Sequence, residues 1–140
     1  MKSWVIFAFL SMLFAGVTSV IAKMGLNGIS ADAGMAVRTC FVFVFVLLFA
    51  SVSVSVSQLR LLDSSNYLWL GLSAATTTLS WIFYYKALQE GDVSKIAIID
   101  KGSVVVAIVL AALILKEQIT PKTFLGGALV VSGILVIAKK

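Results

Sequence analysis

The chain has few of the residues that build catalytic centres. Histidine is absent, Cys40 is the single cysteine, Pro121 is the single proline, and only 6 residues are acidic. Without histidine there is no Ser-His-Asp triad and no Cys-His dyad, and one cysteine cannot form a disulfide within the chain. The acidic residues are not clustered as metal ligands would be. We therefore expect no enzyme activity, no cofactor and no bound metal.

Charge is also scarce, and apolar residues take its place. Of the 140 residues, 61% are hydrophobic and 12% are charged, and the mean hydropathy is +1.10. Soluble domains have about half apolar and about a quarter charged residues. The composition therefore indicates an integral membrane protein whose main partner is the lipid bilayer. The net charge of +5 comes from Lys and Arg between the apolar segments, which fits anionic lipid headgroups better than nucleic acid.

Five apolar stretches are long enough to cross the roughly 30 Å hydrocarbon core as helices. They are Trp4–Ala22, Met35–Val56, Tyr67–Leu88, Val93–Leu115 and Pro121–Ala138. We predict an all-α fold, a polytopic membrane protein with a five-transmembrane-helix bundle in a single domain of residues 1–140. The first stretch is interpreted as a helix because it is longer than the usual apolar core of a signal peptide. The alternating serines and valines of 51–57 are interpreted as the polar end of the second helix.

Asp100 and Lys101 lie within the fourth stretch, where each charge costs about 2.5–3.5 kcal/mol on insertion scales. An odd number of spans puts Asp100 on the same side of the membrane as three cations. These are Lys23, Arg38 and Lys86. Two interpretations stay open: an ion pair that joins helices, or a charged mouth for a substrate formed by Lys23, Arg38 and Asp100. Lys101 points about 100° away and is expected to extend toward the headgroups.

A polar and aromatic face runs along the third predicted helix. Its hydroxyl residues recur at i, i+4, i+7 and i+11, and Trp81 lies beside them. Such a face suits a substrate path near the middle of the membrane, because it offers hydrogen bonds without net charge. The alternative is that the hydroxyls bond to carbonyls of their own helix or join neighbouring helices. The candidates for the path are Ser73, Thr77, Ser80, Trp81 and Tyr84.

Small residues mark the fifth predicted helix. Gly126 and Gly133 share one face, and Ala128 and Ser132 form a second pair, so close helix packing is expected within the monomer or against a second copy. Four cations fall on the N-terminal side of the membrane (Lys2, Arg60, Lys116, Lys122) and six on the other (Lys23, Arg38, Lys86, Lys95, Lys139, Lys140). This asymmetry is weak, as in a chain that inserts in both orientations.

Several short motifs follow one another over nearly the whole chain. They are the segment from Asp100 to Val106, Leu115-Lys-Glu-Gln-Ile-Thr-Pro121 followed by Gly126-Gly127 and Ser132-Gly133, Gly16 through Lys23, Arg38, and Trp81 to Leu88. Together they resemble the EamA domain of the drug/metabolite transporter superfamily. Two positions depart from the family pattern. Lys116 stands where glycine is frequent, and Ser103-Val104 replaces Ser-Pro, so we expect a less kinked fourth helix.

The resemblance implies transport of small metabolites or drug-like compounds across the cell membrane. Most members resemble two five-helix units related as an inverted repeat, and this chain resembles the single-unit bacterial or archaeal type. A homodimer, possibly antiparallel, with the path between its repeats is then implied. We predict a multi-pass secondary transporter that works as a homodimer by alternating access. The alternative is a non-transporting membrane subunit or scaffold. Small multidrug exporters of the four-helix kind look to depend on a glutamate in their first helix. The first predicted helix here, Trp4–Ala22, has no acidic residue, so this class is disfavoured.

Overall fold

The computed structural model describes residues 3–138, and within this range the chain is helical without β-strands. The helices are α1 (Ser3–Gly25), α2 (Ala31–Ser53), α3 (Val56–Leu59), α4 (Ser64–Glu90), α5 (Val93–Asp100), α6 (Ser103–Ile114) and α7 (Pro121–Ala138). The predicted all-α class is confirmed. Lys2, Lys139 and Lys140, which enter the comparison of charges on the two membrane sides, lie outside the described residues.

Four helical segments of the described chain are long and apolar enough to cross a membrane. They are α1, α2, the pair α5 and α6 taken together as Val93–Ile114, and α7. The protein is therefore a multi-pass membrane protein. Helix α4 has ample length at 27 residues and contains the predicted span Tyr67–Leu88. It is not among the four because its run of serine and threonine lowers its hydropathy, so a fifth span stays a prediction.

Helix ends follow the capping residues of the sequence. The hydroxyl of Ser30 accepts a hydrogen bond from the amide of Ala33 (3.3 Å), and α2 begins directly after it. Helix α2 ends at Ser53, because the next residue, Val54, is extended (φ −112°, ψ 121°). Of the serine and valine segment 51–57, which is predicted as the polar end of this helix, only residues 51–53 belong to α2. Thr120 accepts from the amide of Thr123 (3.2 Å), and α7 covers the predicted range Pro121–Ala138.

The fourth predicted helix is interrupted, whereas we expected one continuous helix. Between α5 and α6, the amide of Gly102 donates to Ile99 O (2.9 Å) and the amide of Val105 donates to Gly102 O (3.0 Å). These i to i+3 bonds form a tighter turn than the α-helix. Glycine has low helix propensity, and a Cβ on Gly102 would lie 3.0 Å from the side chain of Ile134. The turn therefore permits close approach of α7, directly after Asp100.

The helices form two compact units. Residues 21–90 form one unit, in which α2 packs against α4. The residues up to 20 and those from 91 onward form the other, in which α7 packs against α5 and α6. The buried side chains of the described residues belong to the first unit. They are Leu26, Ala31, Tyr85 and Leu88.

Candidate functional site

Arg38 of α2 lies against two aromatic rings of α4. Its guanidinium carbon is 4.2 Å from the ring centroid of Trp81 and 5.9 Å from that of Tyr85. Trp81, Tyr85 and Leu88 are spaced i, i+4 and i+7, so they share the face of α4 that packs on α2. Tyr85 and Leu88 are buried. The structure thus brings together one residue of the predicted charged mouth and one of the predicted path. We call Arg38, Trp81 and Tyr85 the Arg38 site.

The guanidinium of Arg38 has no acceptor among the described residues. Its Nη1 atom is buried and without a hydrogen-bond partner. The rings contribute cation–π attraction, worth about 2 kcal/mol when desolvated, but they accept no ordinary hydrogen bond from the nitrogen edges. Arginine carries five N–H donors and remains charged in proteins. The site therefore holds a charged guanidinium whose buried Nη1 donor is unsatisfied.

The hydroxyl face of α4, defined as Ser73, Thr77, Ser80 and Tyr84, is open for most of its length. Ser73, Thr77 and Ser80 are exposed, and Tyr84 is half-buried. The hydroxyl of Thr77 donates to Ser73 O (2.8 Å). This is the kind of hydrogen bond within one helix that the sequence allows as an alternative to a substrate path. Because a hydroxyl that donates to its helix still has lone pairs to accept with, this bond is compatible with contact to a substrate.

Lys23 binds the end of α4. Its Nζ donates to the main-chain oxygens of Leu88 and Gln89, the second at 3.4 Å. These carbonyls belong to the last turn of α4, where main-chain oxygens have no N–H partner within the helix. A cation at this end also interacts favourably with the negative end of the helix dipole. In the structure Lys23 is a C-terminal cap of α4. Its place in a charged mouth stays a prediction.

Gln89 is a residue that the sequence analysis missed. Its side-chain Oε1 accepts from the amide of Ala31 (3.0 Å), and its Nε2 donates to Ile29 O (3.3 Å). One side chain thereby holds the connection between α1 and α2 against the end of α4. No pattern in the sequence indicates this contact, because its partners are main-chain groups.

Asp100 forms an ion pair with its neighbour in sequence. Its Oδ2 lies 3.7 Å from Nζ of Lys101, with side-chain exposures of 39% and 58%. The sequence instead predicts that Lys101 extends toward the headgroups and that Asp100 has partners on other helices. An exposed pair of this kind is worth about 0–1 kcal/mol in water. The pair lies at the turn between α5 and α6.

The loop after α6 explains one departure from the family pattern. Lys116 has φ 56°, in the left-handed region that glycine tolerates and other residues enter at about 1–2 kcal/mol. The amide of Glu117 then donates back to Ala111 O (3.2 Å). This turn places Glu117 and Gln118 in the wall of an open, mostly apolar cleft of about 290 Å³ between α6 and α7.

The small residues of α7 divide into packed and open ones. A Cβ on Gly127 would lie 3.4 Å from the side chain of Ile108 in α6, which marks close packing within the unit. A Cβ on Gly126 or Gly133 would meet nothing within 4 Å. In the second predicted pair, the hydroxyl of Ser132 donates to Ala128 O (2.8 Å). The face of Gly126 and Gly133 is therefore not used for packing among the described residues.

Apolar spanning helices define a multi-pass α-helical membrane protein, and polar, aromatic and cationic side chains along α2 and α4 are typical of membrane proteins that handle solutes. The family model of the EamA-like transporter family matches residues 2–139, and the chain belongs to this family. The resemblance drawn from the sequence is confirmed, and the protein is a membrane transporter by family.

A curated relative agrees over almost the whole chain. The "Uncharacterized transporter in cobO 3'region" of Sinorhizobium sp is 31% identical over 137 residues, which cover 98% of this chain and 97% of the relative. No solved structure matches.

Proposed function

We propose that the protein is a secondary transporter of small metabolites or drug-like compounds in the cytoplasmic membrane. The observation that carries this proposal is the hydroxyl face of α4, which is exposed in a chain that is otherwise strongly apolar. Hydroxyls that face lipid gain nothing, whereas hydroxyls along a solute path supply hydrogen bonds. The relative from Sinorhizobium sp, which is described as a transporter, supports the same function.

The transporter is proposed to be a homodimer of single five-helix domains, antiparallel, with alternating access between its two sides. Two observations support a second copy. The face of Gly126 and Gly133 on α7 is open to close contact with another helix. The weak asymmetry of the cations is also the pattern expected when copies insert in opposite orientations.

Labelling of the chain ends tests the antiparallel arrangement. We expect Ser3→Cys and Lys140→Cys, each made with Cys40 replaced by Ala, to react in intact cells with an impermeant thiol reagent in a fraction of the molecules. The remaining fraction should react only after the cells are opened. Complete labelling of one end and none of the other would contradict the antiparallel dimer.

Transport is tested with a matched pair of threonines on α4. Thr77 lies on the hydroxyl face and Thr78 lies about 100° away, and each donates to a main-chain oxygen four residues back. Liposomes containing the protein are loaded with the small-molecule extract of ¹³C-labelled bacterial cells, and efflux is followed by mass spectrometry. We expect Thr77→Val to slow efflux of a transported compound about three- to tenfold, the value of one hydrogen bond. Thr78→Val should transport as the unsubstituted protein does.

The alternative of a non-transporting subunit or scaffold makes a different prediction for the same liposomes. No labelled compound would then leave faster than from liposomes without protein, and both threonine variants would behave alike. That result would contradict the proposed function, and equal slowing by both variants would contradict the role of the hydroxyl face.

A further inference from the structure

We propose that Arg38 binds an anionic group, a carboxylate or phosphate, of the molecule that this protein transports. The inference rests on the proposed transport function and names the chemical class of its substrate. It starts from the arrangement of the Arg38 site, in which the guanidinium lies over the rings of Trp81 and Tyr85 and its buried Nη1 has no acceptor among the described residues.

Arg38 and Trp81 lie within their helices rather than at the helix ends. It is the eighth residue of α2, about 10 Å along the axis from Ala31, and Trp81 lies nine residues, about 14 Å, before the end of α4. Within the predicted spans Met35–Val56 and Tyr67–Leu88, Arg38 lies about 5 Å and Trp81 about 10 Å from the nearer end. An unpaired charge at that depth is costly and usually marks a functional contact.

The protein supplies no anion to Arg38 among the described residues. The acidic side chains within its unit are Asp32, Asp63 and Glu90. None of them forms an ion pair with Arg38, whose contacts are the two aromatic rings. A structural role alone would be served by an uncharged side chain between α2 and α4. A ligand that brings the opposite charge accounts for an arginine at this position.

A carboxylate or phosphate matches the donor geometry. Its oxygens accept two parallel N–H bonds from the guanidinium edge, which neutralises the charge and satisfies the donors together. Trp81 keeps the guanidinium oriented through its ring, 4.2 Å away. An apolar or aromatic body on the ligand suits the ring of Trp81, which is only partly covered.

Direct binding tests the inference without a transport assay. The chain has three tryptophans, so Trp4→Phe with Trp69→Phe leaves Trp81 as the only fluorescent indole. The protein, in a detergent without phosphate, is titrated with phenylacetate, with phenyl phosphate and with neutral phenylacetamide. We expect saturable fluorescence changes with the two anions and none with the amide. Arg38→Gln should weaken anion binding roughly tenfold or more.

The matched control is the other arginine of the chain. Arg60 is exposed beyond α3, and Arg60→Gln removes the same charge from a site without aromatic contacts, so it should leave the titration unchanged. Should Arg38→Gln fail to fold, Arg38→Lys keeps the charge but loses the planar fork, and weaker anion binding by this variant supports the inference equally. Equal binding of the anions and the amide by the parent protein would overturn it.

A lipid headgroup carries the same phosphate chemistry, so a second titration separates the two sources. Short-chain phosphatidylglycerol is added alone and then with phenylacetate. Competition by phenylacetate supports a site that takes soluble anions. A fluorescence change with the lipid only, not reversed by phenylacetate, assigns Arg38 to lipid and overturns its role toward a substrate.

The inference and the proposed function fail in different ways. Anion binding without efflux from the liposomes would support the binding site at Arg38 and contradict the transport function. Efflux that is unchanged by Arg38→Gln, together with no anion binding, would support transport and contradict the binding site.

Discussion

Leu88→Ala should lower the free energy of unfolding by about 2–4 kcal/mol, the range for truncating a fully buried leucine. Leu88 has 0% exposure, the lowest of the described residues that form the buried cluster. The other members are Leu26, Ala31 and Tyr85, so the cavity would open where the connection between α1 and α2 meets α4. The free energy is measured by titrating the purified protein in mixed micelles with sodium dodecyl sulfate and following helicity.

Leu79→Ala is the matched control for this substitution. Leu79 lies on the same helix but is 55% exposed, so detergent or lipid fills the space that the missing side chain leaves. We expect a change below about 0.5 kcal/mol. Equal effects of the two substitutions would mean that the buried cluster contributes no more than the lipid-facing surface.

Apolar runs located the helices, but capping residues decided where they begin. For α7 the two signals coincide at Thr120 and Pro121, and the predicted range agrees with the structure. For α2 the first apolar run starts at Met35, whereas the helix starts at Ala31 after the Ser30 cap. Hydropathy does not detect helical turns made of polar residues. The predicted start of α2 therefore lies four residues after the observed one.

The site is harder to predict because it depends on which helix faces meet. The sequence groups Arg38 with Lys23 and Asp100 because all three are predicted to lie toward one side of the membrane. The periodicity of α4 is more informative about packing, because Trp81, Tyr85 and Leu88 form one apolar and aromatic face of the helix. That face identifies the side of α4 that packs, but not the helix against which it packs. The partner Arg38 follows only from the structure.

Main-chain contacts leave still less trace in the sequence. Lys23 and Gln89 both bind main-chain groups, which every residue type provides. The identity of Leu88 or of Ile29 therefore says nothing about such a bond. The break after Asp100 is similar, because Gly102 there lies close to the side chain of Ile134 in α7, and the sequence does not show that contact.

Lys23→Met should lower the free energy of unfolding by about 2 kcal/mol, because hydrogen bonds from a charged group contribute about 1.5–3 kcal/mol. The substitution keeps an unbranched apolar stem and removes the donor to Leu88 O and Gln89 O. The same titration with sodium dodecyl sulfate measures it. Lys86→Met is the control, since Lys86 is an exposed cation near the same helix end and should contribute only about 0.3–1 kcal/mol through the helix dipole.

Efflux from the liposomes separates a cap from a charged mouth at Lys23. If Lys23 caps α4, Lys23→Met reduces stability, while efflux per folded molecule at low temperature stays near that of the parent protein. If Lys23 meets the substrate, efflux falls and the free energy of unfolding stays unchanged. Because the Nζ of Lys23 is already engaged with two carbonyl oxygens, a ligand would have to displace both bonds to reach it. Arg38, whose buried Nη1 has no acceptor among the described residues, is the better placed of the two cations for a substrate.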